Sequence, residues 1–148
     1  MENLDPQTLW PMLLTFLPIV LLILLVPVVL LDVLLHRALA RCAPSSRTMS
    51  PWLVWVSLIP VVGLFWPFKV VNEVAKSLHN EFVRRGMRES PAPGRAIGMA
   101  WATLALLSAI PLVNFVTILP GAICWAVYCI QIALFTRKLD ESAAVVPR

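Results

Sequence analysis

None of the twelve Lys and Arg residues lies before position 37. Ahead of that point runs an apolar stretch, Leu9–Leu35, interrupted by little except Thr15 and Asp32. His36, Arg37, Arg41 and Arg47 follow directly. An apolar run of roughly 18 residues or more, with few charges, is long enough to cross a bilayer as a helix. Basic residues mark the cytoplasmic flank of short membrane loops. The pattern therefore predicts a first helix over 9–35 that starts outside, after Glu2 and Asp5, and ends in the cytoplasm.

Leu9–Leu35 holds 27 residues. As a helix it would be about 40 Å long, against a hydrocarbon core of about 30 Å. It is expected to tilt, or to bend at Pro18 and Pro27. It does not read as a secretory signal. It lacks a basic leader, and its apolar stretch exceeds the roughly 7–15 residues of such a signal. This helix is therefore expected to stay in the mature protein.

Composition points the same way. The chain is 59% hydrophobic and 14% charged, whereas soluble domains carry about a quarter charged residues. There is room for three or four apolar segments in one membrane domain, 1–148, and none for a separate soluble one. The net charge of +4 is spread through short loops beside apolar segments. Topology and anionic lipid account for it better than nucleic acid does, so no nucleic-acid partner is expected. Cys42, Cys124 and Cys129 form no CxxC pair. Cys124 and Cys129 are five apart and point to different faces of one helix, so small packing residues are expected, not a redox or metal site.

Segment 51–68, PWLVWVSLIPVVGLFWPF, is apolar but broken at Pro60, Gly63 and Pro67. If it crossed the membrane, Lys69, Lys76, Arg84, Arg85, Arg88 and Arg95 would all lie outside, against the positive-inside rule. If it dips in and returns, they stay in the cytoplasm. Each arm would then reach roughly 13 Å. Trp52, Trp55 and Trp66 would sit at one interface, where Trp is favoured. The re-entrant or kinked hairpin is therefore preferred over a full span. Irregular backbone at depth must be shielded by protein, so the segment is expected to pack on other helices.

The last apolar region, 96–136, is too long for one span and suits two, 97–110 and 119–136. The break Ile110–Pro120, containing Pro111, Asn114 and Pro120, is expected to be the outer turn of a hairpin. Both ends then return to the cytoplasm with Arg95 and Arg137–Lys138. Ser57–Leu64 (SLIPVVGL) also matches Ser108–Phe115 (SAIPLVNF). Pro60 aligns with Pro111 and Gly63 with Asn114, residue types that favour turns. Such repeats occur in transporters; chance similarity between apolar segments is the competing explanation.

Two stripes of small residues share one spacing. Gly98, Ala102, Ala105 and Ala109 are spaced 4, 3, 4, as are Ala122, Ala126, Cys129 and Ala133. Small residues let membrane helices approach closely. The stripes are expected to face each other, or one of them to dock a partner subunit. Segment 69–90 carries an amphipathic helix with Val71, Val74, Leu78 and Phe82 on one stripe. It is expected at the cytoplasmic interface, on the membrane surface, against a neighbouring subunit or as an extension of the re-entrant segment.

Asp32 and His36 are four apart and face the same way. An ionisable group within an apolar segment is a functional candidate, although Asp32 lies one turn from the basic end and could pair with His36 or Arg37. Asn114, Tyr128 and Gln131 are the other polar groups at depth, expected to hydrogen-bond between helices. His36 and His79 both fall near the cytoplasmic surface, poorly placed to ligate a pigment. There is no HExxH, P-loop, Ser-His-Asp set or intramembrane carboxylate cluster. The sequence gives no reason to expect an enzyme, a metal or a cofactor, and identifies no small-molecule substrate. Bound lipid is expected.

Residues 59–74, IPVVGLFWPFKVVNEV, resemble a segment of an uncharacterised family of small multi-pass bacterial membrane proteins. That family's pattern is Ile-Pro-x-x-Asn, then Pro-Tyr-Gln and an acidic residue. Ile59-Pro60 and Pro67-Phe68-Lys69 to Glu73 match it, with Gly63 in place of the Asn and Lys69 in place of the Gln. The resemblance implies a bacterial inner membrane and no assigned activity.

The expected architecture is an all-α integral membrane protein. It has one spanning helix, a re-entrant or kinked short hairpin, an amphipathic interfacial helix and a C-terminal transmembrane hairpin. The N-terminus is expected in the periplasm and the C-terminus in the cytoplasm. The expected role is a non-catalytic accessory subunit packed against other integral membrane subunits. The alternative is a small oligomeric channel, transporter or holin-like protein.

Overall fold

The computed structural model describes residues 6–145; Glu2, Asp5 and Arg148 lie outside the described residues. Among these residues the chain is all-helical, without strands. Four α-helices account for most of it: α1 (Pro6–Arg41), α2 (Trp66–Arg84), α3 (Arg95–Leu107) and α4 (Pro111–Val145). Between α1 and α2 lie two short 3-10 segments, Pro51–Leu58 and Val62–Leu64.

α1 runs unbroken for 36 residues through Pro11, Pro18 and Pro27. Each proline deletes one backbone hydrogen bond, but the dense Leu, Val and Ile around it carries the helix on. The two ends of α1 differ. Leu31, Leu35, Ala38, Leu39 and Cys42 are buried, on a helical face. Trp10, Leu14, Phe16 and Leu17, near the start, are all exposed. Among the described side chains of α1, only those of its last three turns join the core.

α2 begins with Pro67 in its first turn, where the missing N–H costs nothing. Its stripe of Val71, Val74, Leu78 and Phe82 is fully buried. Phe82 meets Phe135 of α4 edge-on, ring centroids 5.8 Å apart. The stripe is consumed by the chain's own helices and does not present itself to a bilayer surface.

α3 and α4 form an antiparallel hairpin. Its corner is Ser108–Ile110, not the longer break Ile110–Pro120. Pro111 opens α4, and Pro120 lies inside it. α4 also continues past position 136, to Val145. Pro111–Ala143 is long and apolar enough to cross a membrane, its most apolar 18-residue stretch having a mean hydropathy of 2.0.

The two segments of the sequence repeat adopt the same corner. The Ile59 amide bonds Val56 O and the Gly63 amide bonds Ile59 O. Correspondingly, the Ile110 amide bonds Leu107 O and the Asn114 amide bonds Ile110 O. After the first corner the chain makes a second short turn before α2. After the second it enters α4 directly.

The register of the hairpin is set by unequal partners. Gly98 faces the Tyr128 ring, Gly121 faces Leu104, and the Ser108 and Thr117 hydroxyls lie 2.9 Å apart. Gly98 and Ala102 are buried, Ala126, Cys129 and Ala133 are half-buried, and Ala105, Ala109 and Ala122 are exposed. The two small-residue stripes therefore do not face each other along their length. α4 instead turns the Thr117–Gly121–Tyr128 face to α3, and the large Tyr128 ring fills the space that Gly98 leaves.

A Cβ at Gly98 would lie 2.7 Å from Val71 Cγ1 and 2.8 Å from Tyr128 Cε2. Gly98→Ala should cost about 1–3 kcal/mol by overpacking. Ala109→Leu, at an exposed position, should be neutral. Thermal unfolding of both variants in detergent, followed by circular dichroism, checks this; equal melting temperatures would remove the proposed role of Gly98.

Candidate functional site

Two polar constellations stand out in an otherwise apolar fold. The first lies where α1, α2 and α4 end together. Glu81, on the buried side of α2, is completely covered. Its carboxylate accepts Arg84 Nη2 at 2.5 Å and Nε at 3.1 Å, and Arg85 Nε at 2.7 Å. The amide of Ala43, just past α1, donates to Glu81 Oε2 at 3.0 Å. Arg85 also donates to Leu139 O at 2.6 Å and Ser142 Oγ at 2.7 Å on α4, and to Arg41 O at 3.4 Å. Arg47 folds back onto Cys42 O and Ala40 O, at 2.8 and 3.0 Å. Carbonyls at a helix C-terminus lack intrahelical partners and carry partial negative charge, so two arginines satisfy them. An Arg41–Asp140 ion pair closes the ring between α1 and α4.

Burial by itself would raise the Glu81 pKa. The hydrogen bonds from Arg84, the Ala43 amide and Arg85 outweigh it and hold the carboxyl at about 2. The charged form is therefore the folded form. Every group in this node is engaged with the protein itself, so its chemistry is cohesion.

The second constellation is a cavity of about 130 Å³ bounded by α1, the 3-10 hairpin, the start of α2 and the second half of α3. Leu31, Leu35, Val70, Val71 and Trp101 supply apolar wall; Asp32 and Ser57 supply the polar patch. Ser57 donates to Asp32 Oδ2 at 2.5 Å. Gly63 completes the wall. A Cβ there would lie 2.1 Å from Ser57 O, so only glycine lets the hairpin close and hold Ser57 against Asp32.

His36 does not pair with Asp32. Its Nδ1 lies 3.1 Å from Pro51 O, and its ring meets Trp52 edge-on. Arg37 forms no ion pair with Asp32 among the described residues either. Tyr128 is buried and stacks on Trp101, ring centroids 6.5 Å apart. Gln131 is half-buried, its Oε1 facing Gly94. Asn114 lies half-buried in the first turn of α4 and serves the corner through its backbone amide. Pro60 is exposed at the hairpin tip, and Pro67 lines the cavity. Among the described residues no group of three or more His, Cys, Asp or Glu could hold a metal ion.

Sequence reasoning passed over Glu81 and Ser57. The signal for Glu81 was present: a carboxylate on the same stripe as Leu78 and Phe82, with arginines three and four residues later. A charge on the apolar stripe of a helix implies a buried partner. Ser57 had no comparable signal, because only the folded hairpin brings it to Asp32.

The low Glu81 pKa sets a pH dependence. Its contribution is present above the ordinary carboxylate range, near 4.5, and is lost as pH falls through about 2. Glu81→Gln should cost about 1.5–3 kcal/mol at neutral pH and flatten this acid-side loss. Unfolding measured from pH 7 down to about pH 2 in both proteins provides the check. Parallel curves would mean that other carboxylates govern acid stability.

A family model described as a domain of unknown function, DUF4328, matches residues 10–144. No curated protein and no solved structure matches the chain. The matched residues include both polar constellations and nearly all of the four helices, and the chain belongs to the DUF4328 family.

Proposed function

We propose that this protein is a non-catalytic, membrane-embedded subunit that packs against the transmembrane helices of larger partners in a bacterial inner membrane. The observation that carries this reading is the distribution of uncovered apolar side chains. They concentrate on the outer part of α1 (Trp10, Phe16, Leu22), on the hairpin tip (Ile59, Val61, Phe65) and on the first half of α4 (Leu112, Phe115, Val116). Leu112 and Phe115 are each 85% exposed. The ionic node lies at the opposite end of α1 and α4. Patches of this size on a protein surface mark contact with lipid or with another protein.

The partner half of the reading rests on α1 and on small residues. Among the described side chains, those of the outer stretch of α1 are left open by their own chain. Exposed Ala109 and Ala122 offer flat ground on which a second helix can seat closely. The proposed topology has the N-terminus in the periplasm, with the node, the loop 85–94 and the C-terminus in the cytoplasm. One observation favours the alternative of a small channel, transporter or holin-like oligomer: Asp32 sits in a cavity beside apolar walls.

Two measurements test the proposal. Ser90 is exposed. Ser90→Cys, in a background with Cys124 and Cys129 replaced by Ala, should resist a membrane-impermeant thiol reagent in intact cells and react after lysis. Labelling in intact cells would overturn the topology. Purification in mild detergent should recover fixed integral-membrane partners. A homo-oligomer that conducts ions in planar bilayers would favour the channel instead.

A further inference from the structure

The cavity beside Asp32 is apolar everywhere but at one spot. Asp32 is 3% exposed. Its Oδ2 accepts the Ser57 hydroxyl. Among the described residues no other side-chain hydrogen bond and no ion pair reaches this carboxylate. His36, one turn away, is committed to Pro51 O. A carboxylate held in apolar surroundings without a cation is costly. A ligand bringing a positively charged N–H would supply counter-charge and hydrogen bond together. The Trp101 indole adds an aromatic wall of the kind that attracts cations. The remaining wall, with Leu31, Leu35, Val70 and Val71, demands an apolar body. Size narrows the choice: an apolar protein cavity of about 150 Å³ holds benzene, close to the 130 Å³ here.

We propose that this cavity binds a small hydrophobic monocation, an ammonium group on an apolar body about the size of a benzene ring, with Asp32 as its counter-charge. The site is complete within one chain and does not depend on the subunit reading above. Ser57 positions the carboxylate by holding one oxygen and leaving the other for the ligand. Gly63 holds Ser57 there.

Benzylamine, a cation at neutral pH, is the probe, and toluene is its uncharged control. Binding to the purified full-length protein in detergent is read from Trp fluorescence and from the thermal melting point. Benzylamine should give a saturable fluorescence change and raise the melting point, whereas toluene should respond more weakly at matched concentration, because it leaves Asp32 without a counter-charge. Asp32→Asn should weaken benzylamine binding by about tenfold to a hundredfold. Ala105 lines the rim of the cavity, so Ala105→Leu narrows it, leaves Asp32 in place and should abolish binding even if Asp32→Asn fails to fold. Equal responses to benzylamine and toluene, no saturable response, or full binding by a folded Ala105→Leu protein would each overturn the proposal.

Discussion

Glu81 holds together segments that have little else in common. Its two oxygens collect Arg84 and Arg85 from its own helix and the Ala43 amide from the end of α1, and Arg85 carries the connection on to α4. Burying a carboxylate is unfavourable unless its lone pairs are fully used, and here they are. The full set needs all three helices: without α1 the carboxylate loses the Ala43 amide, and without α4 Arg85 loses Leu139 O and Ser142 Oγ. The apolar residues above the node, such as Leu39, Leu78 and Leu139, pack within a frame whose ends are already fixed. Hydrophobic contact is indifferent to small slips along a helix; the node supplies the missing register.

The 3-10 hairpin follows a second constraint. Backbone in irregular geometry needs local hydrogen-bond partners or a covering surface. Pro51–Leu58 satisfies part of this with tight 3-10 bonds, and Trp66 Nε1 donates across the hairpin to Leu53 O at 2.7 Å. The Ser57–Asp32 bond then ties the hairpin to α1. Only Gly63, with no Cβ, lets the two arms approach closely enough for this to happen. A single carboxylate on an otherwise apolar helix face thereby fixes the position of a segment twenty-five residues away.

Much of the helical content was readable from the sequence, because long apolar runs and proline punctuation are local signals. The breaks at Pro60 and Gly63 fall in the 3-10 hairpin, Pro111 directly follows the second corner, and the SxIP repeat coincides with a shared hydrogen-bond pattern. Pro120 misled. A proline nine residues into a strongly apolar helix removes one bond and is carried by its neighbours, so the break was drawn too long. The alanine stripes show a different limit. Spacing reveals which small residues share a face, but not which large residue the opposite helix turns towards it. Gly98 needed Tyr128, and nothing in the 4, 3, 4 pattern contains a tyrosine. The stripe on α2 was read correctly as amphipathic. What covers such a stripe is a tertiary fact, and here the chain itself covers it.

The contrast between the two ends of α1 has a mechanical consequence. About twenty residues of helix project beyond its last buried turns, an arm of about 30 Å at 1.5 Å per residue. Such an arm is a cantilever clamped at Leu31–Cys42, with Trp10, Leu14, Phe16, Leu17 and Leu22 uncovered along it. Tilting the clamp by only about 10° would sweep the far end through about 5 Å. Asp32, and the cavity beside it, lie at the fulcrum. Any small adjustment there would be geometrically amplified at the tip.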